Sequence, residues 1–310
     1  MNNQINYIVD VLMLTYKHEQ YIEKAVNSII LQKTDFKFRL LIFDDNSPDK
    51  TKSIVSEIIN SNLNLEIIYK KNDSNFGMQK NGLQSLNNAK AKYIAFCEGD
   101  DYWTDPYKLQ KQVDLLENNS KASMVFSNCN IELEGEYNMS KLNYPAYFTF
   151  HEYLHIYNAI PTCTIVYRKN CFKLNDETIE LFQNCPVGDF PLRFLIGDTG
   201  DFMFMSDSTA VYRKNEGGVS NSFHNSKHYL GIINMYKNLN IYFNYKYDYF
   251  LGIHLQDTFE RLFYTYCKDK LVFAAFKTFF KACIDFNGKY LKFDQCFKIF
   301  KHGVKEFIRK

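Results

Sequence analysis

No Cys-x-x-Cys pair occurs anywhere in the 310 residues, which argues against zinc ribbons and dithiol redox motifs. The eight cysteines stand apart, at 97, 129, 163, 171, 185, 267, 283 and 296. Several lie in apolar runs, where a free thiol acts as a small hydrophobe. Reduced thiols and a cytoplasmic location are the expectation. No apolar run reaches the length of a membrane-spanning helix. Met1-Asn2-Asn3-Gln4 lacks a basic segment and cleavage site, so no signal peptide is expected. Proline and glycine are scarce, at 6 and 13 residues, and repeats and low-complexity tracts are lacking. With 46% hydrophobic and 23% charged residues, the composition is that of a globular protein. The net charge of +2 gives no reason to expect a nucleic-acid partner. Charge is unevenly placed, however: Lys268 to Lys310 holds 11 Lys and Arg against 4 Asp and Glu, an excess of +7.

What is present is alternation. Val9 to Leu14 reads as a strand ending in Thr15-Tyr16, and Tyr21, Ile22, Ala25, Val26, Ile29 and Ile30 then recur at helical spacing. Arg39 to Phe43 is a second strand, ending at Asp44-Asp45. Ser47-Pro48 reads as a cap and first helical proline, with Ile54, Val55, Ile58 and Ile59 as the buried stripe. Leu65 to Tyr69 is a third strand, 78–90 a weaker helix, and Tyr93 to Phe96 a buried strand. Asp105-Pro106 repeats the cap and proline before a helix to about Glu117, and Ala122 to Phe126 follows as a strand. This order predicts an α/β fold: a Rossmann-like, mainly parallel sheet with helices on both faces. The stretch 128–220 is less regular, with strands at Thr164 to Tyr167 and Ala210 to Tyr212 and a short helix from Val187 to Ile196. From about Ser226, Tyr, Phe and Lys at helical spacing predict a C-terminal helical region. The expected domains are 1–225 and 226–310.

In such sheets ligands bind beyond the carboxyl ends of the strands. Cys97-Glu98-Gly99-Asp100-Asp101-Tyr102-Trp103 follows a buried strand there, and its crowded carboxylates call for a counter-charge. A hard divalent cation, Mg²⁺ or Mn²⁺, supplies one and leaves positions for phosphate oxygens; a solvated acidic turn is the plainer reading. Asp44-Asp45 is either a turn or a carboxylate acceptor for a nucleobase or ribose. Asp189 reads by itself as an ordinary helix start. Arg213, before Gly217-Gly218, suits a phosphate or a surface hairpin. Trp103 is a core residue or a wall for a sugar ring. The 268–310 segment is a helical subdomain with solvated lysines or a peripheral anchor on an anionic membrane surface.

Together these motifs resemble family 2 glycosyltransferases, which have the GT-A fold. Thr15-Tyr16 is similar to that family's Thr-Tyr-Asn, with Lys17 in place of Asn, and Asp44-Asp45-Asn46-Ser47-Pro48-Asp49-Lys50-Thr51 to its Asp-Asp-Gly-Ser-x-Asp-x-Thr. Asn75-Phe76-Gly77 with Lys80-Asn81 resembles Asn-x-Gly-x-x-x-Ala-Arg-Asn, with Lys80 where Arg is usual. Glu98-Gly99-Asp100-Asp101 resembles the Asp-x-Asp metal motif, and the helix with Pro106, Lys108, Leu109 and Gln112 also fits. Gly188-Asp189 falls where the family places its base, and Tyr212 to Ser220 resembles Tyr-Arg-x-His-x-Gly-Gly-x-Ser, with Asn215 in place of His. The resemblance covers about 7–222.

It implies inverting transfer of a hexosyl or N-acetylhexosaminyl group from a nucleotide-diphosphate sugar, with UDP expected, to a hydroxyl of a glycan or lipid-linked glycan in surface polysaccharide assembly. Asp101 would hold Mn²⁺ or Mg²⁺, with Asp100 a second candidate ligand or donor contact. Asp189 would be the general base. Thr15, Tyr16, Asp44 and Asp45 would hold base and ribose, Lys80 and Arg213 the nucleotide and diphosphate, and Trp103 would wall a sugar. Two other readings are a non-catalytic nucleotide-sugar or carbohydrate binder on the same fold and a sugar nucleotidyltransferase; a Gly-rich phosphate loop is missing for the latter.

Overall fold

The computed structural model describes residues 6–62, 64–133, 135–139, 142–156, 160–183, 185–214 and 225–286. They fall into two units, Met1–Asn175 with Leu192–Asn215, and Asp176–Pro191 with Glu216–Lys310. This division differs from a single cut near residue 225, because 176–191 clusters with the second unit.

The first unit opens with β1 (Val9–Thr15), α1 (Ile22–Ile30), β2 (Phe38–Asp44), α2 (Thr51–Ser61), β3 (Glu66–Lys71), α3 (Met78–Asn88) and β4 (Tyr93–Phe96). There follow β5 (Tyr102–Trp103), α4 (Lys108–Asn118), β6 (Ala122–Leu133), β7 (Glu136–Met139), β8 (Tyr147–Phe148), α5 (Phe150–Ile156) and β9 (Val166–Arg168). After α6 (Asp176–Gln183) and α7 (Asp189–Gly197), β10 (Asp201–Lys214) completes the sheet. The strand order is β3-β2-β1-β4-β9-β6-β10-β5, with β7 on β6 and β8 on β10.

The β3-β2-β1-β4 half is parallel, as the alternation predicts. β6 and β10 also run parallel, but β9 lies antiparallel between β4 and β6, so the sheet is mixed. Helices cover the parallel half, which is why β1 is apolar almost throughout. Ile22, Ala25, Val26 and Ile29 of α1 are fully buried; each large aliphatic contributes roughly 1.5–3 kcal/mol relative to exposure. The exception in β1 is Asp10, buried and paired with Arg39 at 2.6 Å.

Two helix starts differ from the sequence reading. α2 begins at Thr51 rather than at Pro48, because Ser47 Oγ accepts a bond from Lys17 N across the loops at 3.0 Å. Regular α4 begins at Lys108, after a turn that Asp105 caps as the sequence predicts, its Oδ1 accepting from Tyr107 N at 2.9 Å while Oδ2 pairs with Lys111 at 2.7 Å.

The second unit is helical. It contains α6 and, after Asn225 caps its start by accepting from His228 N at 2.9 Å, α8 (Ser226–Tyr242), α9 (Asp248–Lys268) and α10 (Val272–Phe286). Phe190 packs edge-on to Tyr236 with ring centres 5.2 Å apart. No helix among the described residues is long and apolar enough to cross a membrane.

Candidate active site

The carboxyl ends of β2, β1 and β4 lie side by side, with Thr15 opposite Asp44 and Leu12 opposite Phe96. The loops leaving β1 and β2 are laced together. Lys17 N donates to Ser47 Oγ at 3.0 Å, His18 N to Thr51 Oγ1 at 3.1 Å, and Glu19 N to Asp49 Oδ2 at 3.1 Å. Lys17 and Asn46 take left-handed backbone, at φ 61° and 63°. Such strain in non-glycine residues persists where the surroundings fix it.

Asp44 is fully buried and builds this loop. Its Oδ1 accepts from Ser47 N at 2.8 Å and its Oδ2 from the Tyr69 hydroxyl. Burial, followed by that bond, pushes the Tyr69 hydroxyl up. Asp45 holds the next loop: Oδ1 accepts from Asn72 Nδ2 at 2.9 Å and Phe76 N at 2.8 Å, and Oδ2 from Gly77 N at 2.8 Å. A carboxylate has about four acceptor positions, so Asp45 retains one beyond these. Gly77, at φ 84°, takes a backbone conformation suited to glycine. Lys80 is exposed on the following helix, α3, and Tyr16 is exposed beside Thr15.

The acidic turn follows β4. Gly99 N donates to Leu14 O at 2.9 Å, drawing the turn against β1. A Cβ on Gly99 would lie 2.7 Å from Thr15 Oγ1 and 2.8 Å from His18 Nδ1, so glycine is required by space. Asp101, 2% exposed, accepts from Arg213 N at 2.8 Å. Burial first, then the charges of Asp100 and Glu98, hold its carboxyl well above the usual range. Asp100 is half-buried, with His18 Nε2 3.9 Å from its Oδ2. Arg213 packs its guanidinium 4.5 Å from the Tyr102 ring centre, pairs with Glu132 at 3.1 Å, and donates from Nη1 to Asp100 O at 2.8 Å. It therefore shapes the acidic turn through backbone as well as charge. Asn215 and Gly217 to Ser220 lie outside the described residues.

Trp103 corrects an expectation. It is 4% exposed, part of the core, with Nε1 donating to Cys163 O at 2.9 Å and Lys108 Nζ 4.3 Å from its ring centre. Both its edge and a face are occupied, so it offers no wall to a sugar. Conversely, His18 was not singled out from sequence; its signal was a histidine three residues beyond a strand-end threonine. Asp189 is half-buried at the start of α7 and belongs to the second unit.

Among the described residues no group of three or more His, Cys, Asp or Glu could hold a metal ion. The donor set therefore does not form a protein cage. It fits a hard cation bound by one or two carboxylates and completed by phosphate oxygens and water, the habit of Mg²⁺. Burial and the charges of Asp100 and Glu98 disfavour the ionised form of Asp101, a cost that such a cation would offset.

Comparisons with known proteins agree with this architecture. An uncharacterized protein of Mycobacterium tuberculosis is 28% identical over 224 residues, covering 69% of this chain and 61% of that protein. The chain thus spans less than two thirds of that relative's length. A Bacillus subtilis protein, provisionally named teichuronic acid biosynthesis glycosyltransferase TuaG, is 29% identical over 109 residues, 35% of this chain and 42% of that one. The crystal structure of S. aureus TarS 1–349 in complex with UDP-GlcNAc superposes with a TM-score of 0.59 at 15% identity, covering 96% of this chain and 81% of that one. A longer TarS structure is matched over 39% of its chain. At this identity the likeness shows the GT-A fold with its helical C-terminal region. The sequence profile of Glycosyl transferase family 2 matches residues 10–177, more than half of the chain; the protein belongs to that family.

Proposed function

We propose that this chain is an inverting glycosyltransferase that moves a hexosyl or N-acetylhexosaminyl group from a UDP-sugar to a hydroxyl of a glycan or lipid-linked glycan, in surface polysaccharide biosynthesis. The observation that carries the reading is Asp101, a buried carboxylate surrounded by like charge at the edge where β1, β2 and β4 end. The UDP-GlcNAc complex of TarS supports the donor class, and the name of TuaG supports the polysaccharide.

Asp101, with Asp100 beside it, would hold Mn²⁺ or Mg²⁺, which when bound stabilises negative charge on the departing diphosphate. Thr15 and Tyr16 position base and ribose, and the remaining acceptor position of Asp45 takes a base N–H. Asp44 contributes by holding the loop that carries Asp45. Lys80, exposed on α3, would contact the nucleotide, and Arg213 fixes Asp100. Asp189 accepts the proton from the acceptor hydroxyl as general base.

A thermal-shift titration tests donor binding. UDP with Mn²⁺ is expected to raise the melting temperature, by about 2.7 kcal/mol of stabilisation at a hundredfold excess over Kd. EDTA is expected to cancel most of the shift. An undiminished shift in EDTA would remove the metal from the reading; no shift with any UDP-sugar would remove the donor class. Release of nucleoside diphosphate then separates an enzyme from a pure binder.

The same reading places the protein at the inner membrane surface. On α10, Phe273 is 84% exposed and Phe280 59%, beside the exposed Lys277 and Lys281; the basic segment continues to 310, and 287–310 lie outside the described residues. Vesicles carrying anionic lipid are expected to float the protein, and neutral vesicles to leave it behind. Equal recovery with both would remove the membrane partner.

A further inference from the structure

Lys108 opens α4 with no exposure to solvent. Its Nζ donates to Gln112 Oε1 at 2.6 Å and lies 4.3 Å from the Trp103 ring centre. Neither partner is charged, and among the described residues no carboxylate forms an ion pair with it. A buried ammonium without an anion is costly. Burial pushes it down to about 7, opposed by the Cys163 and Cys97 thiols and Asp105.

The two contacts of Lys108 lead to one place. Gln112, itself buried, donates from Nε2 to Thr164 O at 2.8 Å. Trp103 donates from Nε1 to Cys163 O at 2.9 Å. Both bonds end on the single turn of 3-10 helix Thr162–Thr164, whose Cys163 thiol is a close enough neighbour of Asp101 for each to influence the other's titration. Trp103 and Tyr102 also pair with Ala210 and Val211 of β10, the strand that brings Arg213 N to Asp101. Lys108 thus holds Trp103, on the strand paired with β10, and through Gln112 the 162–164 turn beside Asp101.

We propose that Lys108 is a positioning residue for Asp101, its ammonium clamping Trp103 and, through Gln112, the 162–164 turn, so that the carboxylate is held in the direction the donor site requires. The inference rests on the reading of Asp101 as the donor-site carboxylate. The test is calorimetric titration of UDP in the presence of Mn²⁺ with the full chain and its Lys108→Met, Trp103→Phe and Asp101→Asn variants, each melted in parallel. Lys108→Met is expected to melt at or above the native temperature, since an apolar chain of similar length fits the site. It is expected to bind UDP with Mn²⁺ about tenfold more weakly, the size of effect seen when a supporting contact behind a metal ligand is lost.

Folded Lys108→Met that binds within about twofold of native would overturn the proposal. Should that variant not fold, Trp103→Phe decides. It keeps a smaller aromatic ring at the site and loses the bond to Cys163 O, with the parallel melt reading any packing loss: at least threefold weaker binding supports the clamp, and native binding overturns it. Asp101→Asn separates the two readings. If it binds as native does, the donor-site assignment itself fails; if it loses binding while Lys108→Met does not, only the clamp fails.

Discussion

Asp101→Asn is expected to leave a chain that melts higher than the native protein in chelator and has lost sugar transfer. Asparagine keeps an oxygen for the bond from Arg213 N, so the local geometry survives. What it removes is a buried negative charge beside Asp100 and Glu98. The folded carboxyl titrates above its unfolded value, so the folded state binds more protons across that window. Its contribution is fully present below the unfolded value and is lost as pH rises through the folded one. As pH rises from the acid side the carboxyl therefore becomes a growing cost to the metal-free fold. The variant lacks this cost, and its advantage over native should grow as pH is raised from the acid side. Each kcal/mol of relief moves the melting temperature by about 2–4 °C in a chain of this order of size. Turnover should fall by at least about a hundredfold, the effect of losing one electrostatic element at a developing charge. A variant that melts lower than native in chelator at neutral pH would show that Asp101 supports the fold rather than burdening it.

Asp189→Asn should give the complementary result. Removal of a general base lowers turnover by roughly 10²- to 10⁴-fold, while UDP binding with Mn²⁺ stays within about twofold of native. Asparagine is nearly the same shape and can still start a helix, so α7 should persist. Paired single-turnover and calorimetric measurements decide the point: retained turnover would move the base elsewhere, and lost nucleotide binding would make Asp189 a donor contact. The two variants together distinguish handling of the leaving group from handling of the proton.

The strand ends were legible because an apolar run followed at once by acids has few other meanings. Val9 to Leu14, Arg39 to Phe43 and Tyr93 to Phe96 became β1, β2 and β4, and the acids that follow β2 and β4 lie at the same edge as Thr15 at the end of β1. Trp103 was not legible. Its fate depends on Lys108, five residues on, and on a carbonyl 60 residues on, and composition does not say which side of a turn a ring will face. The cap signals at Ser47 and Asp105 marked the right neighbourhoods: Asp105 caps the turn before α4 through Tyr107 N, whereas Ser47 is drawn to Lys17 N, a bond that only tertiary contact decides. The split engagement of Asp44 and Asp45 was equally hidden: adjacent acids look interchangeable until Ser47, Tyr69, Asn72 and Gly77 claim different oxygens.

Arg213 N reaches Asp101 across 112 residues of sequence, and that span governs when the site can exist. During synthesis at about 5–20 residues per second, β1 to β4 emerge seconds before β10. Until then the acidic turn lacks the strand that fixes it, and β6 lacks its parallel neighbour. The order of emergence thus keeps the nascent chain from presenting a finished acidic turn before the whole sheet has been made.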